Sequence, residues 1–218
     1  MNLTATNRRT LALGASLFAS ALSPVSLGAV NEYTTYAGWL GVPGSTVLGS
    51  QNFSSLASGY HASANGTAGG VSWNAAASGN FYVSTVNLNV VLGTNIANET
   101  LTFNFAFAGG LSGVAGNFFA LDSGFSFASD TVSVLVTLSD SSTQSFSRSI
   151  TSFGQFWGFH STGSSIASIA ISVAGSGNYS TTDGFVLMSG GTGPVVPLPG
   201  AAGLAAIALA GLSRRRRR

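Results

Sequence analysis

The residues of this sequence that could carry out catalysis or hold a metal are few and widely separated. The chain has 218 residues, with two histidines and no cysteine. His61 and His160 lie about a hundred residues apart, and neither has an aspartate or glutamate at metal-ligand spacing. A zinc site needs several nitrogen, sulfur or oxygen ligands close together. We therefore expect no metal site, no cofactor and no catalytic residue.

Hydrolytic chemistry has no recognisable signature either. Serines are abundant, but no Gly-x-Ser-x-Gly turn marks one of them as a nucleophile. Glycoside hydrolysis requires two carboxyl groups that flank one sugar bond, and nothing in the pattern pairs Glu32 with Glu99. The sequence therefore favours a protein that is not an enzyme, and a surface hydrolase is the least favoured alternative.

Four aspartates fall at expected loop or strand-end positions, namely Asp122, Asp130, Asp140 and Asp183. Backbone carbonyls at such positions could complete the oxygen shell of a calcium ion. No Asp-x-Asp-x-Asp loop accompanies them, and aspartate side chains also cap tight turns by bonding to the backbone. Turn capping is the favoured interpretation, and Asp140 in particular is typical of a hairpin turn.

Aromatic side chains offer another kind of chemistry, because an exposed ring can stack on the C–H face of a sugar while nearby polar groups bond its hydroxyls. Trp39 and Trp73 lie in glycine-rich, loop-like sequence and are the candidate sugar-binding residues. Trp157 lies between Phe156 and Phe159 in a predicted strand, so we expect it to be buried. For Trp39 and Trp73 a place in the hydrophobic core is the alternative, and it is the favoured one.

The elements that must position these residues are strands. Leu101, Phe103 and Phe105 alternate with polar or small residues, and the segment from Val132 to Leu138 does the same, which is the period-two pattern of a strand with one apolar face. Further predicted strands are Phe81 to Leu92, Thr143 to Ile150, Gln155 to His160, Ile166 to Val173 and Gly184 to Met188.

Several short strands separated by turn clusters predict an all-β fold, a jelly-roll-like β-sandwich that forms one domain over residues 30–193. The segment from Asn31 to Asn80 is richer in Gly, Ala, Ser and Asn. We expect loops there, with one or two edge strands.

The N-terminal segment predicts export. Arg8 and Arg9 precede an apolar run from Leu11 to Leu22, and the small residues Gly28 and Ala29 follow. This layout is typical of a secretory signal peptide, with a signal helix, over residues 1–29. The twin arginine leaves Tat export open beside the favoured Sec route.

The C-terminal segment, residues 194–218, has three parts: the motif Val196, Pro197, Leu198, Pro199; an apolar run from Gly200 to Leu212; and the arginine block Arg214, Arg215, Arg216, Arg217, Arg218. A helix over the apolar run would span about 20 Å, short of the roughly 30 Å hydrocarbon core. The arginine block stops transfer and stays in the cytoplasm. We expect a short transmembrane helix that anchors the precursor in the inner membrane.

This tripartite tail resembles the PEP-CTERM sorting signals of Gram-negative bacteria, in a variant with Leu198 where glutamate is usual. The resemblance implies that an exosortase-type membrane peptidase cuts near the proline motif and passes the protein to the cell surface or the exopolysaccharide matrix. An anchor that is never cleaved is the alternative. The segment from Gly116 to Ser189, with Gly-Asn-Phe-Phe, Phe-Trp-Gly-Phe and Asp-Gly-Phe, resembles the β-sandwich bodies of PEP-CTERM proteins.

The charge of the body differs from that of the whole chain. Seven of the eight arginines lie in the two end segments, so the body carries Arg148 against six acids, a net charge of 1 − 6 = −5. Such a body has no basic surface for nucleic acid. The sequence thus predicts an exported surface or matrix protein with a structural or adhesive role. The alternative is a carbohydrate-binding module for exopolysaccharide.

Overall fold

The computed structural model describes residues 29–190, which form short antiparallel strands and one short helix. The elements are β1 Ala29–Tyr33, α1 Tyr36–Leu40, β2 Ser45–Gln51, β3 Gly59–His61, β4 Asn65–Ala68, β5 Val71–Ala76, β6 Phe81–Val86, β7 Asn89–Thr94, β8 Leu101–Ala106, β9 Gly113–Leu121, β10 Phe127–Ala128, β11 Asp130–Leu138, β12 Thr143–Ile150, β13 Phe156–Thr162, β14 Ile166–Val173 and β15 Tyr179–Gly190.

The strands form two sheets that face each other. The nine-stranded sheet has the order β1-β13-β9-β15-β7-β6-β3, with β10 paired to β9 and β2 paired to β15. The six-stranded sheet has the order β12-β11-β14-β8-β5-β4. One large hydrophobic cluster draws side chains from both sheets, so the core lies between them. The predicted all-β, sandwich-like architecture is confirmed at this level.

Alternation along the strands explains the layering. In β11, Val132, Val134 and Val136 are buried, while Leu135 between them faces outward and is exposed. Side chains point to opposite faces at successive positions of a strand, so one face of each sheet supplies the core and the other meets solvent. Strands β12 and β14 have the bounds that the sequence predicts.

One strand prediction is wrong, and one strand is not predicted from the sequence. The stretch from Phe81 to Leu92 is a hairpin of β6 and β7, because Asn87 and Leu88 adopt positive φ angles of 47° and 66° and reverse the chain. The sequence lacks the glycine that usually marks such a turn. Strand β9 lies between β13 and β15, and no strand was predicted at Gly113 to Leu121.

The region from Asn31 to Asn80 also holds more structure than predicted. It contains α1 and most of β1 to β5, and β5 is an interior strand between β4 and β8. Its alternation is hard to recognise because Val71 and Trp73 are the only large side chains on its inner face. Small residues elsewhere in this region weaken the period-two signal.

The sequence predictions for both ends fall outside the described residues. They concern nearly all of the signal peptide, the motif Val196 to Pro199, the apolar run from Gly200 to Leu212 and the block Arg214 to Arg218. Between residues 29 and 190, no helix is long and apolar enough to cross a membrane.

Candidate functional site

The Trp39 side chain is buried against the outer face of the nine-stranded sheet. Its side chain is 0% exposed, and its indole N–H donates to the Phe159 carbonyl at 3.1 Å. Glycines make the room: a Cβ on Gly158 would lie 2.7 Å from Trp39 Cδ1, and one on Gly113 would lie 3.1 Å from Cζ2. The ring face is therefore closed to a sugar, and Trp39 instead fixes α1 to the sheet.

Trp73 belongs to the core between the two sheets. Its side chain is 3% exposed and packs among aromatic rings, with centroid distances of 5.7 Å to Phe53, 5.6 Å to Phe185 and 6.1 Å to Phe103. The candidate sugar-binding role of Trp39 and Trp73 as exposed platforms is thus corrected, and the core interpretation holds for both. Trp157 is buried as predicted, and its indole N–H donates to Glu32 Oε1 at 2.7 Å.

The anchoring of α1 leaves Tyr36 exposed beside the sheet. Thr35 caps the helix, because its hydroxyl oxygen accepts the Gly38 N–H at 3.2 Å. Tyr36 follows the cap and is 47% exposed. Its ring meets Phe156 edge to face, at a centroid distance of 5.5 Å and an interplanar angle of 72°. Together the two rings form an aromatic wall on the outer face of the nine-stranded sheet.

A β-bulge in β15 forms the polar side of the same area. Thr182 pairs with Phe118 and Phe185 pairs with Gly116, so Asp183 and Gly184 both lie opposite Asn117. Gly184 has a φ of 145°, and a Cβ there would lie 2.1 Å from the Gln51 carbonyl oxygen. Only glycine fits this position, where β15 changes its neighbour from β7 to β2.

The bulge directs Asp183 to Asn117. The Asn117 side-chain amide donates to both carboxylate oxygens of Asp183, at 3.2 Å to Oδ1 and 2.9 Å to Oδ2. Burial raises the pKa of the Asp183 carboxyl above its usual 3.8, and the hydrogen bond from Asn117 opposes that rise. Asp183 is therefore a half-buried carboxylate whose side-chain partner is a neutral amide.

The aromatic wall and the polar pair line one shallow depression of about 220 Å³, which we name the Asp183 notch. Asn117 pairs with Phe156 on β13 and lies opposite Asp183 on β15, so three adjacent strands supply its floor. Asp183 is the one carboxylate among the described lining residues, which are Tyr36, Ser50, Gln51, Gly116, Asn117, Phe156, Asp183, Gly184, Phe185 and Val186.

The other three aspartates cap turns. Asp122 Oδ1 accepts the Gly124 N–H at 2.8 Å and the Ser126 N–H at 3.0 Å. Asp130 holds the loop after β14, since its Oδ2 accepts the Gly175 N–H at 2.8 Å and the Asn178 side-chain amide at 2.9 Å. The Asp122 contacts are the side-chain turn cap that the sequence predicts, whereas Asp130 stabilises a loop that lies 45 positions further along the chain.

Asp140 stabilises the β11–β12 hairpin. Hydrogen bonds from the Ser142 hydroxyl, the Ser164 hydroxyl and the Ser142 N–H lower the pKa of its carboxyl to about 2. Between residues 29 and 190, no three His, Asp or Glu side chains come together in a metal-binding arrangement. Asp183 differs from the other three aspartates, because its side chain bonds to Asn117 on a neighbouring strand, whereas theirs bond to turns or loops.

The histidines are also separate. His160 is fully buried, its Nε2 lies 3.2 Å from the Gly190 carbonyl oxygen, and its Nδ1 has no hydrogen-bond partner. Burial lowers the pKa of His160 below its usual 6.5. His61 lies on β3 at the far edge of the nine-stranded sheet, with Nε2 2.6 Å from the Ala57 carbonyl oxygen.

The outer face of the six-stranded sheet is uncharged and rich in hydroxyl and amide groups, and we name it the hydroxyl face. Hydroxyl groups of neighbouring strands also hydrogen-bond to each other on this face: Ser133 Oγ in β11 lies 2.7 Å from Ser147 Oγ in β12. By strand register its residues are Asn65, Thr67, Ser72, Asn74, Ala76, Thr102, Asn104, Ala106, Thr131, Ser133, Leu135, Thr137, Thr143, Ser145, Ser147, Ser149, Ser168, Ala170 and Ser172.

A larger depression of about 510 Å³ lies beside the loop after β8. Its described lining runs from Phe105 to Leu111 and includes Ser139 and the segment 165–167, all apolar, glycine or serine. Specific recognition usually needs a few convergent polar groups on an apolar wall. The Asp183 notch has that combination, so it is the better candidate site.

Sequence patterns do not identify most residues of the notch as site residues. They indicate a turn or calcium residue at Asp183 and no chemistry at Tyr36 or Asn117. One signal was present: Gly-Asn-Phe-Phe, Phe-Trp-Gly-Phe and Asp-Gly-Phe each contribute lining residues from adjacent strands. Their meeting depends on the bulge and on long-range strand pairing, which local patterns do not reveal.

Comparison with known proteins yields little. No protein-family model matches the chain, and no curated protein matches it. Among solved structures, it is similar to the enzymatically active domain of tailspike protein 4 of bacteriophage CBA120, with a TM-score of 0.30 and 15% identity over 54% of this chain. The matched region spans 19% of that phage chain.

Proposed function

We propose that this protein is an exported, non-enzymatic component of the cell surface or extracellular matrix, with a structural or adhesive role. The N-terminal signal and the PEP-CTERM-like tail support export and sorting by an exosortase-type peptidase. The tail would hold the precursor in the inner membrane until Val196 to Pro199 is recognised. The observation that carries the adhesive role is the uncharged hydroxyl face.

A face of this kind suits a neutral polysaccharide as its partner. Serine, threonine and asparagine side chains donate and accept hydrogen bonds, and sugar hydroxyls do the same. Removing such neutral groups from water costs less than removing charges. The body's net charge of −5 disfavours an acidic polysaccharide and nucleic acid. Many weak contacts with repeated sugars would add up by multivalency.

We also propose that the sandwich is a jelly roll. The eight strands that would form the roll are, in chain order, β7, β8, β9, β11, β12, β13, β14 and β15. If these eight strands are numbered 1 to 8 in chain order, the nine-stranded sheet contains them in the order 1-8-3-6. The six-stranded sheet contains the others in the order 2-7-4-5. This order supports two nested Greek keys, the connectivity of jelly rolls.

A carbohydrate-binding module is the second candidate function, and the Asp183 notch is the observation that favours it. The notch combines an aromatic wall with a carboxylate and an amide. Its single carboxylate does not support glycoside hydrolysis, which requires a pair. The two candidates are compatible, since a matrix protein can hold the matrix by binding its sugars.

Charge substitutions test the adhesive role. Ser145 and Ser149 are exposed on the hydroxyl face, whereas Asn89 and Ser176 are exposed elsewhere. The variant Ser145→Glu/Ser149→Glu should lose retention by purified neutral exopolysaccharide, measured by co-sedimentation of the full chain in mild detergent. The control Asn89→Glu/Ser176→Glu carries the same added charge and should be retained like the wild type. Equal retention of both variants would refute an adhesive role for this face.

A further inference from the structure

We propose that the Asp183 notch binds one ring of a neutral sugar, with two neighbouring hydroxyls bonded by Asp183 and Asn117 and the C–H face packed against Tyr36. This inference deepens the proposed matrix role, on which its choice of a matrix saccharide rests. The site is distinct from the tryptophans that the sequence suggested, which are buried.

The carboxylate supplies the directional part of the recognition. Asp183 accepts from the Asn117 amide and keeps further lone pairs on both oxygens. The described lining of the notch contains no basic side chain to neutralise it. A half-buried carboxylate in that setting gains most from additional donors, and a sugar hydroxyl is such a donor without bringing charge. Burial raises the pKa of the Asp183 carboxyl, so hydrogen bonds that replace the lost water would favour its charged form.

Asn117 sets the spacing of the contacts. Its Nδ2 is bonded to Asp183, so its Oδ1 remains as an acceptor next to the carboxylate. A carboxylate and an amide side by side suit two adjacent hydroxyls of one ring, because one hydroxyl donates to each oxygen acceptor. Ser50, an exposed residue of β2, lines the same depression.

Tyr36 supplies the apolar part. Trp39 stacks near one side of its ring at a centroid distance of 6.4 Å, and Phe156 meets it edge to face at 5.5 Å. Both neighbours restrict the ring, yet nearly half of the side chain remains exposed. A flat, exposed and pre-positioned ring is what a sugar's C–H face packs against, and its order reduces the entropy lost on binding.

The dimensions indicate a single ring as the occupant. The notch has a volume of about 220 Å³. Sites that enclose drug-sized ligands run to roughly 300–1,000 Å³, so this one fits a smaller group. An anionic sugar would face Asp183 at close range and be repelled. A calcium ion would find one carboxylate where it usually takes six to eight oxygen ligands.

Binding of the full chain in mild detergent to an array of glucose-, galactose-, mannose- and N-acetylglucosamine-terminated glycans tests the inference. We expect saturable binding to at least one neutral glycan. Asp183→Asn should weaken it about tenfold or more, the effect of losing a charge-assisted hydrogen bond. Tyr36→Ala should weaken it as well, whereas Tyr60→Ala removes an exposed tyrosine on β3, outside the notch, and should not.

The outcomes separate this inference from the proposed function. Loss of binding in Asp183→Asn and Tyr36→Ala, with cooperative thermal unfolding retained in both variants and with Tyr60→Ala unaffected, supports the notch. Glycan binding that survives both substitutions overturns the notch and leaves the hydroxyl face as the adhesive surface. No glycan binding by the wild type also overturns the notch, even if the protein is retained by exopolysaccharide. Titration calorimetry with calcium gives a further outcome. If the wild type binds calcium and Asp183→Asn does not, the site belongs to the ion and the sugar site is refuted.

Discussion

At the scale of single residues, the aspartates show how one residue type serves two purposes. Asp122, Asp130 and Asp140 accept backbone N–H groups and stabilise turns. Asp183 is half-buried, its side-chain partner is the Asn117 amide, and burial raises its pKa. A buried charge of this kind lowers stability and is typical of functional positions.

Replacing that charge should stabilise the fold. A raised pKa contributes stability below the unfolded value of 3.8, and this contribution is lost as pH rises through the folded pKa. At pH 7 the ionised carboxylate therefore costs free energy, and Asp183→Asn should raise the free energy of unfolding by about 1 kcal/mol at most, because the group is partly exposed. Urea titrations at pH 7 and pH 3 measure this, and the gain should vanish at pH 3. A destabilised variant at pH 7 would show that the carboxylate itself supports the fold.

His160 gives the opposite dependence on pH. Burial lowers its pKa below 6.5, so the unfolded chain takes up the proton first as the pH falls. Stability should decrease below about pH 6.5, by up to about 1.4 kcal/mol per pH unit, until the folded pKa is reached. Unfolding titrations at pH 7.5 and 5.5 should show a smaller loss in His160→Gln than in the wild type. An identical loss in both proteins would mean that His160 does not carry this dependence.

At the scale of elements, clear alternation was sufficient to predict strands. The segments Thr143 to Ile150 and Ile166 to Val173 form β12 and β14 with the predicted bounds. The turn at Asn87 and Leu88 was missed because positive φ angles occur there without glycine. The region before Asn80 was underestimated because its small residues give little contrast between the two faces. Local patterns therefore predict the strands with clear alternation, but not β9, the bulge or the packing of α1.

The same limit explains the candidate site. Asn117 and Asp183 are 66 positions apart in the chain, and their contact depends on the pairing of β9 with β15. Register between distant strands is set by the whole hydrophobic pattern rather than by nearby residues. The burial of Trp39 in α1 likewise depends on Gly113 in β9 and Gly158 in β13. No single stretch of sequence carries this information.

The bulge that forms the notch depends on Gly184. A Cβ there would clash with the Gln51 carbonyl at 2.1 Å, in addition to the strain of a φ of 145°. We expect Gly184→Ala to lower the free energy of unfolding by about 3 kcal/mol or more. Gly177→Ala is a matched control, because Gly177 has a φ of 85° but nothing within 4 Å of its Cβ position, and it should lose about 1 kcal/mol. Chemical denaturation measures both, and equal losses would contradict a role for the clash.

At the scale of the whole molecule, charge is divided by position. The body has a net charge of −5, and the arginines of the chain, apart from Arg148, lie in the end segments. We propose that the ends address the protein to the export and sorting machinery, whereas the body offers the uncharged hydroxyl face and the Asp183 notch. Removal of both ends would leave an acidic, cysteine-free domain, which is the form that we propose to bind neutral polysaccharide.

The most direct test of this account is the intact mass, with terminal-peptide mapping, of the native protein from membrane and extracellular fractions. We predict a mature form in the extracellular fraction that begins near Val30 and ends close to Pro197 to Pro199, without the arginine block. A protein that stays in the membrane with Arg214 to Arg218 intact would contradict sorting to the matrix and make the tail a permanent anchor.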